Sequence, residues 1–132
     1  MREILFRGKR KDNGEWIYGE YITIYDDPKY KAIKTCIELN TGIYEVDPDT
    51  VCQYTGLTDR DGTMIFESDI VTSDDFCPDN EGYGVINWRD DELMFTVDTD
   101  DAYYDFINLN WTNFEVIGNM FDNPELIRGV EE

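Results

Sequence analysis

Short runs in which apolar and polar residues alternate, separated by turn residues, restrict the possible folds more than any other feature of the sequence. Residues 33–39 alternate without a break, and residues 16–24 alternate except for an interruption at Glu20. Such runs are typical of half-buried strands. Asn13-Gly14 and Asp61-Gly62 each lie between apolar runs, where they predict tight hairpin turns. No stretch carries four or five turns of an amphipathic helix pattern, so the sequence predicts a mainly β protein.

The order of the predicted strands indicates antiparallel pairing through short turns. The strands are expected at 3–7, 16–24, 33–39, 43–46, 50–54, 64–66, 70–72, 83–88, 93–98 and 114–117. Residues 73–82 are expected to form a polar loop. The apolar residues of 102–113 fit neither the helical nor the strand period, so this segment is left unassigned. A short helix is expected from Asn123. The fold class is therefore a small antiparallel barrel-like domain or a two-sheet domain with few short helices. We expect one domain over residues 1–132, and any subdomain seam should lie near residues 47–49.

Composition and charge exclude several classes of protein. The 132 residues include 11 basic and 30 acidic side chains, a net charge of −19. An acidic body disfavours contact with phosphate backbones, so nucleic acid is not the expected partner. No apolar run reaches the length of a membrane span, and the first residues show no signal-peptide pattern. The three cysteines, Cys36, Cys52 and Cys77, are widely spaced and odd in number, which predicts reduced thiols in a cytoplasm.

The basic residues are concentrated near the N-terminus. Residues 1–34 hold eight basic and six acidic residues, a net charge of +2, whereas the rest of the chain carries −21. The simplest interpretation is a solvated, acid-biased surface. The alternative is a basic face that docks on an acidic face, within the chain or between subunits. The candidate interaction residues are Arg7, Lys9, Arg10 and Lys11, close to Trp16 and Tyr18. The simpler interpretation of this segment is that Trp16 and Tyr18 pack in a β core while the cations are solvated at the hairpin tips.

Three blocks of sequence resemble the YopX family of phage- and prophage-encoded proteins. They are residues 1–7, residues 53–71 from Gln-Tyr-Thr-Gly-Leu to Asp-Ile-Val, and residues 115–126 from Glu-Val-Ile-Gly-Asn to Asn-Pro-Glu-Leu. The blocks come in the order of the family and span nearly the whole chain. One departure is Ser68, since the family usually has glycine before Asp-Ile-Val. The resemblance implies a mostly β fold and a phage origin, and it implies no enzymatic activity or catalytic residues.

The residues themselves also argue against catalysis and against a metal site. The chain contains no histidine, which removes Ser-His and Cys-His nucleophiles and most zinc sites. Asp59-Arg60-Asp61-Gly62 begins like a calcium loop, but Leu57 and Ser68 stand where carboxylate ligands are required, so a turn is expected. The acidic residues of 74–82 fit either a weak cation site or a solvated loop, and their irregular spacing favours the loop. We therefore expect no enzyme, no catalytic residues, no cofactor and no metal.

The expected function is that of a phage or prophage accessory protein in the cytoplasm of the bacterial host. It would act through protein–protein interaction and homo-oligomerisation, with a host or phage protein as a further partner. One alternative is an acidic mimic of nucleic acid that inhibits a host DNA-binding or nuclease protein. Another is a small nucleic-acid-binding module that uses the basic N-terminal segment, with aromatic side chains for stacking.

Overall fold

The computed structural model describes residues 5–26, 31–73, 83–99, 103–105 and 113–126. In these residues the chain is mainly β, with two antiparallel sheets and a short 3-10 turn at Pro48–Thr50. It divides into two compact units, Met1–Tyr54 and Thr55–Glu132. The helical residues described are far too few and too polar to cross a membrane.

The first unit is an antiparallel sheet. Its strands are β1 (Phe6–Lys9), β2 (Trp16–Asp26), β3 (Lys31–Leu39), β4 (Gly42–Glu45) and the beginning of β5 (Cys52–Thr58). They lie in the order β4-β3-β2-β1-β5. β2 and β3 are the longest strands and pair over most of their length, which gives the unit its central hairpin. Ile37 of β3 and Val46, which directly follows β4, are fully buried, and Cys36 beside Ile37 is buried as well, so burial along β3 is not restricted to one face.

The second unit has its own sheet and core. It contains β6 (Met64–Phe66), β7 (Asp69–Thr72), β8 (Gly84–Arg89), β9 (Met94–Asp98), β10 (Tyr103–Asp105) and β11 (Glu115–Asn119). The sheet has the order β10-β9-β8-β7-β11, and β6 adjoins β5. The buried cluster comprises Ile65, Val71, Ile86, Val97 and Phe114. Burial of this cluster supplies the main hydrophobic stabilisation of the unit.

The mainly β prediction is confirmed, and the two-sheet alternative is the one observed, because the described strands form no closed barrel. Both predicted glycine turns are also confirmed. Gly14 has a φ of +74° and its amide donates to the carbonyl of Arg10 at 2.9 Å. Gly62 has a φ of +85°. Only glycine adopts these conformations at little cost, which is why the dipeptides mark the turns reliably.

Several predicted elements differ from the structure. The strand predicted at 3–7 is found at Phe6–Lys9, and residues 1–4 lie outside the described part of the chain. The strand predicted to begin at Thr50 begins at Cys52, because Pro48–Thr50 forms a 3-10 turn capped by Asp47, whose carboxylate accepts the amide of Asp49 at 3.0 Å. β10 was not predicted. The helix expected from Asn123 is described only at its start, where Glu125 and Leu126 are helical, and the loop predicted at 73–82 lies outside the described residues except for Ser73.

Candidate functional site

Two of the four candidate interaction residues, Arg7 and Lys9, pack against one indole ring. β1 pairs with β2 so that Arg7 lies opposite Tyr18 and Lys9 opposite Trp16. The Arg7 guanidinium carbon lies 4.6 Å from the centre of the Trp16 ring, and Lys9 Nζ lies 5.4 Å from it. Arg7 is only 5% exposed. These cations therefore contribute cation–π contacts to the first unit.

The other two candidates, Arg10 and Lys11, pair with acidic residues of their own chain. The Arg10 guanidinium donates to both oxygens of Asp12 at 2.9 and 2.5 Å and lies 4.5 Å from the centre of the Tyr44 ring. The hydrogen bond between these side chains raises the pKa of Arg10 and lowers the pKa of Asp12. Lys11 forms an ion pair with Glu45 at 3.1 Å. The part of the predicted basic patch formed by Arg10 and Lys11 is therefore neutralised by carboxylates of the same chain.

The simpler sequence interpretation of this region was also partly wrong. It placed Trp16 and Tyr18 in the core and the cations in solvent, whereas Arg7 is buried and Tyr18 is 44% exposed. The reason is the register of β1 and β2, which places Arg7 beside Trp16 and Tyr18 on one face of the sheet. A buried guanidinium stacked on an indole ring gains attraction that offsets part of its desolvation.

An open groove of about 830 Å³ lies on the first unit, beside Tyr18. Leu5 and Leu39 contribute its apolar lining, and Glu20 and Glu38 contribute carboxylates. Gly19 also lines the groove, where β2 and β3 approach closely. A Cβ atom at Gly19 would collide with the carbonyl oxygen of Glu38, so glycine is needed for this approach of the two strands.

The two carboxylates of the groove form a like-charged cross-strand pair. Glu20 lies directly opposite Glu38 in the antiparallel register, and both residues are exposed. Neither carboxylate makes a hydrogen bond or ion pair with any described residue. Like charges in this arrangement destabilise a sheet. The sequence signal for this site was the interruption of the β2 pattern at Glu20, but the position of Glu38 depends on a register that the sequence does not specify.

Within residues 53–71, the central block that resembles the YopX family, the buried carboxylate of Asp59 stabilises the local fold. Its Oδ1 accepts the amides of Asp61 and Thr63, and its Oδ2 accepts the amide of Val116, each at 2.9 Å. Burial opposes ionisation of Asp59, but the three amide hydrogen bonds outweigh it and lower its pKa. The expectation of a turn at residues 59–62 is confirmed. The hydrogen bond from the Val116 amide to Asp59 connects this turn to β11.

The C-terminal block, residues 115–126, pairs with the end of the central block in the same sheet. β11 pairs with β7 so that Asn119 lies opposite Asp69, and the amide of Met120 donates to the carbonyl of Ser68 at 3.0 Å. Ser68 has a φ of +72°, a left-handed conformation that favours glycine, which fits the glycine that the family resemblance led us to expect at this position. The side chain of Asn123 accepts the amide of Asn119 at 3.2 Å. Both signatures therefore specify turns and strand ends.

Acidic clusters and cysteine thiols were the remaining candidates for metal or thiol chemistry in the sequence. No group of three or more histidine, cysteine, aspartate or glutamate residues among them could hold a metal ion. Cys36 and Cys52 are buried thiols that form no disulfide. Burial raises the pKa of the Cys36 thiol, which disfavours the reactive thiolate. The acidic segment at 74–82, for which a cation site was weighed, lies outside the described residues.

The profile of the YopX protein family matches residues 5–128, nearly the whole sequence. The chain belongs to the YopX family. No curated protein matches this YopX-family chain. A solved structure, described as the crystal structure of protein EF1440 from Enterococcus faecalis, is similar with a TM-score of 0.58 and 23% sequence identity. The match covers 96% of this chain and 99% of that one, and at this identity it shows a shared fold.

Proposed function

We propose that this YopX-family chain is a phage- or prophage-encoded accessory protein that acts by binding other proteins and not by catalysis. The observation that carries the proposal is the open groove of the first unit, which exposes Tyr18 beside Leu5 and Leu39. Exposed aromatic side chains next to aliphatic ones are typical of protein contact sites. The phage origin is supported by the family, whose members are encoded by phages and prophages.

The proposed compartment is the cytoplasm of the bacterial host. Cys36 and Cys52 are separate, buried thiols, which suits a reducing environment. A cytoplasmic accessory protein would meet host and phage proteins directly, without a membrane or secretion step.

Co-purification with matched tyrosine variants tests the groove as the contact site. Tyr18 and Tyr21 are both 44% exposed on β2 but point to opposite faces, because their positions differ by an odd number. The full chain is used as bait in the host cytoplasm, together with Tyr18→Ser and Tyr21→Ser. The proposal expects Tyr18→Ser to lose the bound protein and Tyr21→Ser to retain it. Equal recovery by the two variants would overturn the groove as the site.

Self-association is the second part of the proposal. Although Arg10 and Lys11 pair with carboxylates of their own chain, residues 1–34 as a whole keep a net charge of +2 against −21 on the rest. This asymmetry allows the first segment of one copy to approach the acidic part of another. Light scattering after size-exclusion chromatography should then give at least twice the monomer mass at low salt and a lower mass at high salt, because salt screens such contacts. A monomer at both salt concentrations would refute self-association and leave the groove proposal to its own test.

A further inference from the structure

The paired carboxylates of the groove are not explained by the stability of the free protein. Glu20 and Glu38 lie directly opposite each other on β2 and β3, where Cβ atoms are typically about 4.5–5.5 Å apart. Both are exposed, and within the described residues neither has a hydrogen-bonding or ionic partner. Their mutual repulsion lowers stability. A cation placed between them would convert this repulsion into attraction.

The surroundings of the two carboxylates indicate which kind of cation fits. Tyr18 is two residues from Glu20 on β2, so its ring lies on the same face, and it is 44% exposed. An aromatic face beside carboxylates suits a guanidinium, which stacks on the ring through its plane and donates from its edge. Leu5 and Leu39 extend the groove with apolar surface, which suits aliphatic side chains on either side of the cation.

We propose that the groove binds an extended basic segment of another protein through an arginine side chain placed between Glu20 and Glu38. The inference rests on the proposed function and adds the chemistry of the partner. The planar guanidinium has five donors and can bridge two carboxylates, whereas a lysine ammonium acts as a point charge. The most basic stretch of a second copy, residues 1–34, carries only +2 and the rest of that copy carries −21, so at this groove coulombic complementarity favours a more basic partner of different sequence.

Titration of the full-length, ¹⁵N-labelled chain with short peptides tests this chemistry. The probes are Ser-Leu-Arg-Leu-Ser, blocked at both ends, and the same peptide with lysine or glutamine in place of arginine. The arginine peptide should shift the amide signals of residues 18–20 and 38–40, bind more tightly than the lysine peptide, and bind far more tightly than the glutamine peptide. Equal affinity of the arginine and lysine peptides would overturn the guanidinium assignment.

A pair of double variants separates the site from the general acidity of the chain. Glu20→Gln/Glu38→Gln should weaken the arginine peptide by at least about tenfold, the effect of one lost charge-assisted contact. Asp91→Asn/Glu125→Gln makes the same change in net charge in the second unit and should retain the affinity. Equal weakening by the two double variants would refute the groove as the arginine site.

Two further measurements distinguish loss of binding from unfolding, and the arginine chemistry from the docking groove itself. The denaturation midpoint of Glu20→Gln/Glu38→Gln should equal or exceed that of the unmodified chain, because a repulsive pair has been removed. A loss of binding then cannot be attributed to unfolding. If Tyr18→Ser loses its co-purifying protein but the arginine peptide binds no better than the glutamine peptide, the docking groove stands and the arginine chemistry is refuted.

Discussion

Replacement of Ser68 by glycine is expected to stabilise the protein. Ser68 has a φ of +72°, a left-handed conformation that costs a non-glycine residue about 1–2 kcal/mol. Glycine avoids this cost but loses about 0.5–1 kcal/mol more backbone entropy on folding. The hydrogen bonds from Ser68 N to Ile86 O at 2.7 Å and from Met120 N to Ser68 O at 3.0 Å are backbone contacts that glycine retains. The net gain should be about 0.5–1 kcal/mol.

Urea unfolding followed by tryptophan fluorescence measures this gain. Ser68→Ala is the matched control, because it removes the hydroxyl but keeps the unfavourable φ. The free energy of unfolding should therefore be higher for Ser68→Gly than for Ser68→Ala by about 1 kcal/mol. If Ser68→Gly is no more stable than Ser68→Ala, backbone strain at Ser68 does not explain the preference for glycine that the family resemblance implies at this position.

Two other substitutions test the structural account of the signature and of the groove. Asp59→Asn replaces one of the two acceptor oxygens with an NH2 group, which cannot accept the amide of Val116. The substitution should therefore lower the free energy of unfolding, measured in urea at neutral pH, by about 2–3 kcal/mol. The pKa of Asp59 is lowered in the folded state, so its contribution is fully present above the ordinary unfolded value of about 3.9 and is lost as the pH falls through the folded value. The stability difference between Asp59→Asn and the unmodified chain should accordingly shrink below about pH 4, and a constant difference down to pH 2 would contradict the role assigned to the carboxylate. Gly19→Ala should destabilise the first unit by about 1–3 kcal/mol through collision with the Glu38 carbonyl, and unchanged amide exchange along β2 would contradict that close approach.

The parts of the fold that the sequence predicted are those determined by local interactions. Asn13-Gly14 and Asp61-Gly62 specify turns through residues only a few positions apart, and period two in 33–39 identifies a strand by its own pattern. β10 was missed because it is a strand of three residues, Tyr103–Asp105, in a segment with no clear period. So short a strand is determined by pairing with β9, which is not a local property.

The site depends on contacts between segments distant in sequence, which a single sequence leaves unspecified. Arg7 and Lys9 looked like an exposed basic surface, but the pairing of β1 with β2 places both against Trp16. The opposition of Glu20 and Glu38 likewise follows from the register of β2 and β3. A shift of one residue in that register would move one of the carboxylates to the other face of the sheet.

The central claim is that this protein works by binding another protein in the groove of the first unit. In-cell photo-crosslinking tests this claim most directly. A photoreactive phenylalanine derivative is placed at Tyr18 or, as the control, at Tyr21 on the opposite face of β2, and the full chain is expressed in the bacterial host. The account predicts a covalent adduct with a basic protein from position 18 and none from position 21. Equal adducts from both positions, or none from position 18, would contradict it.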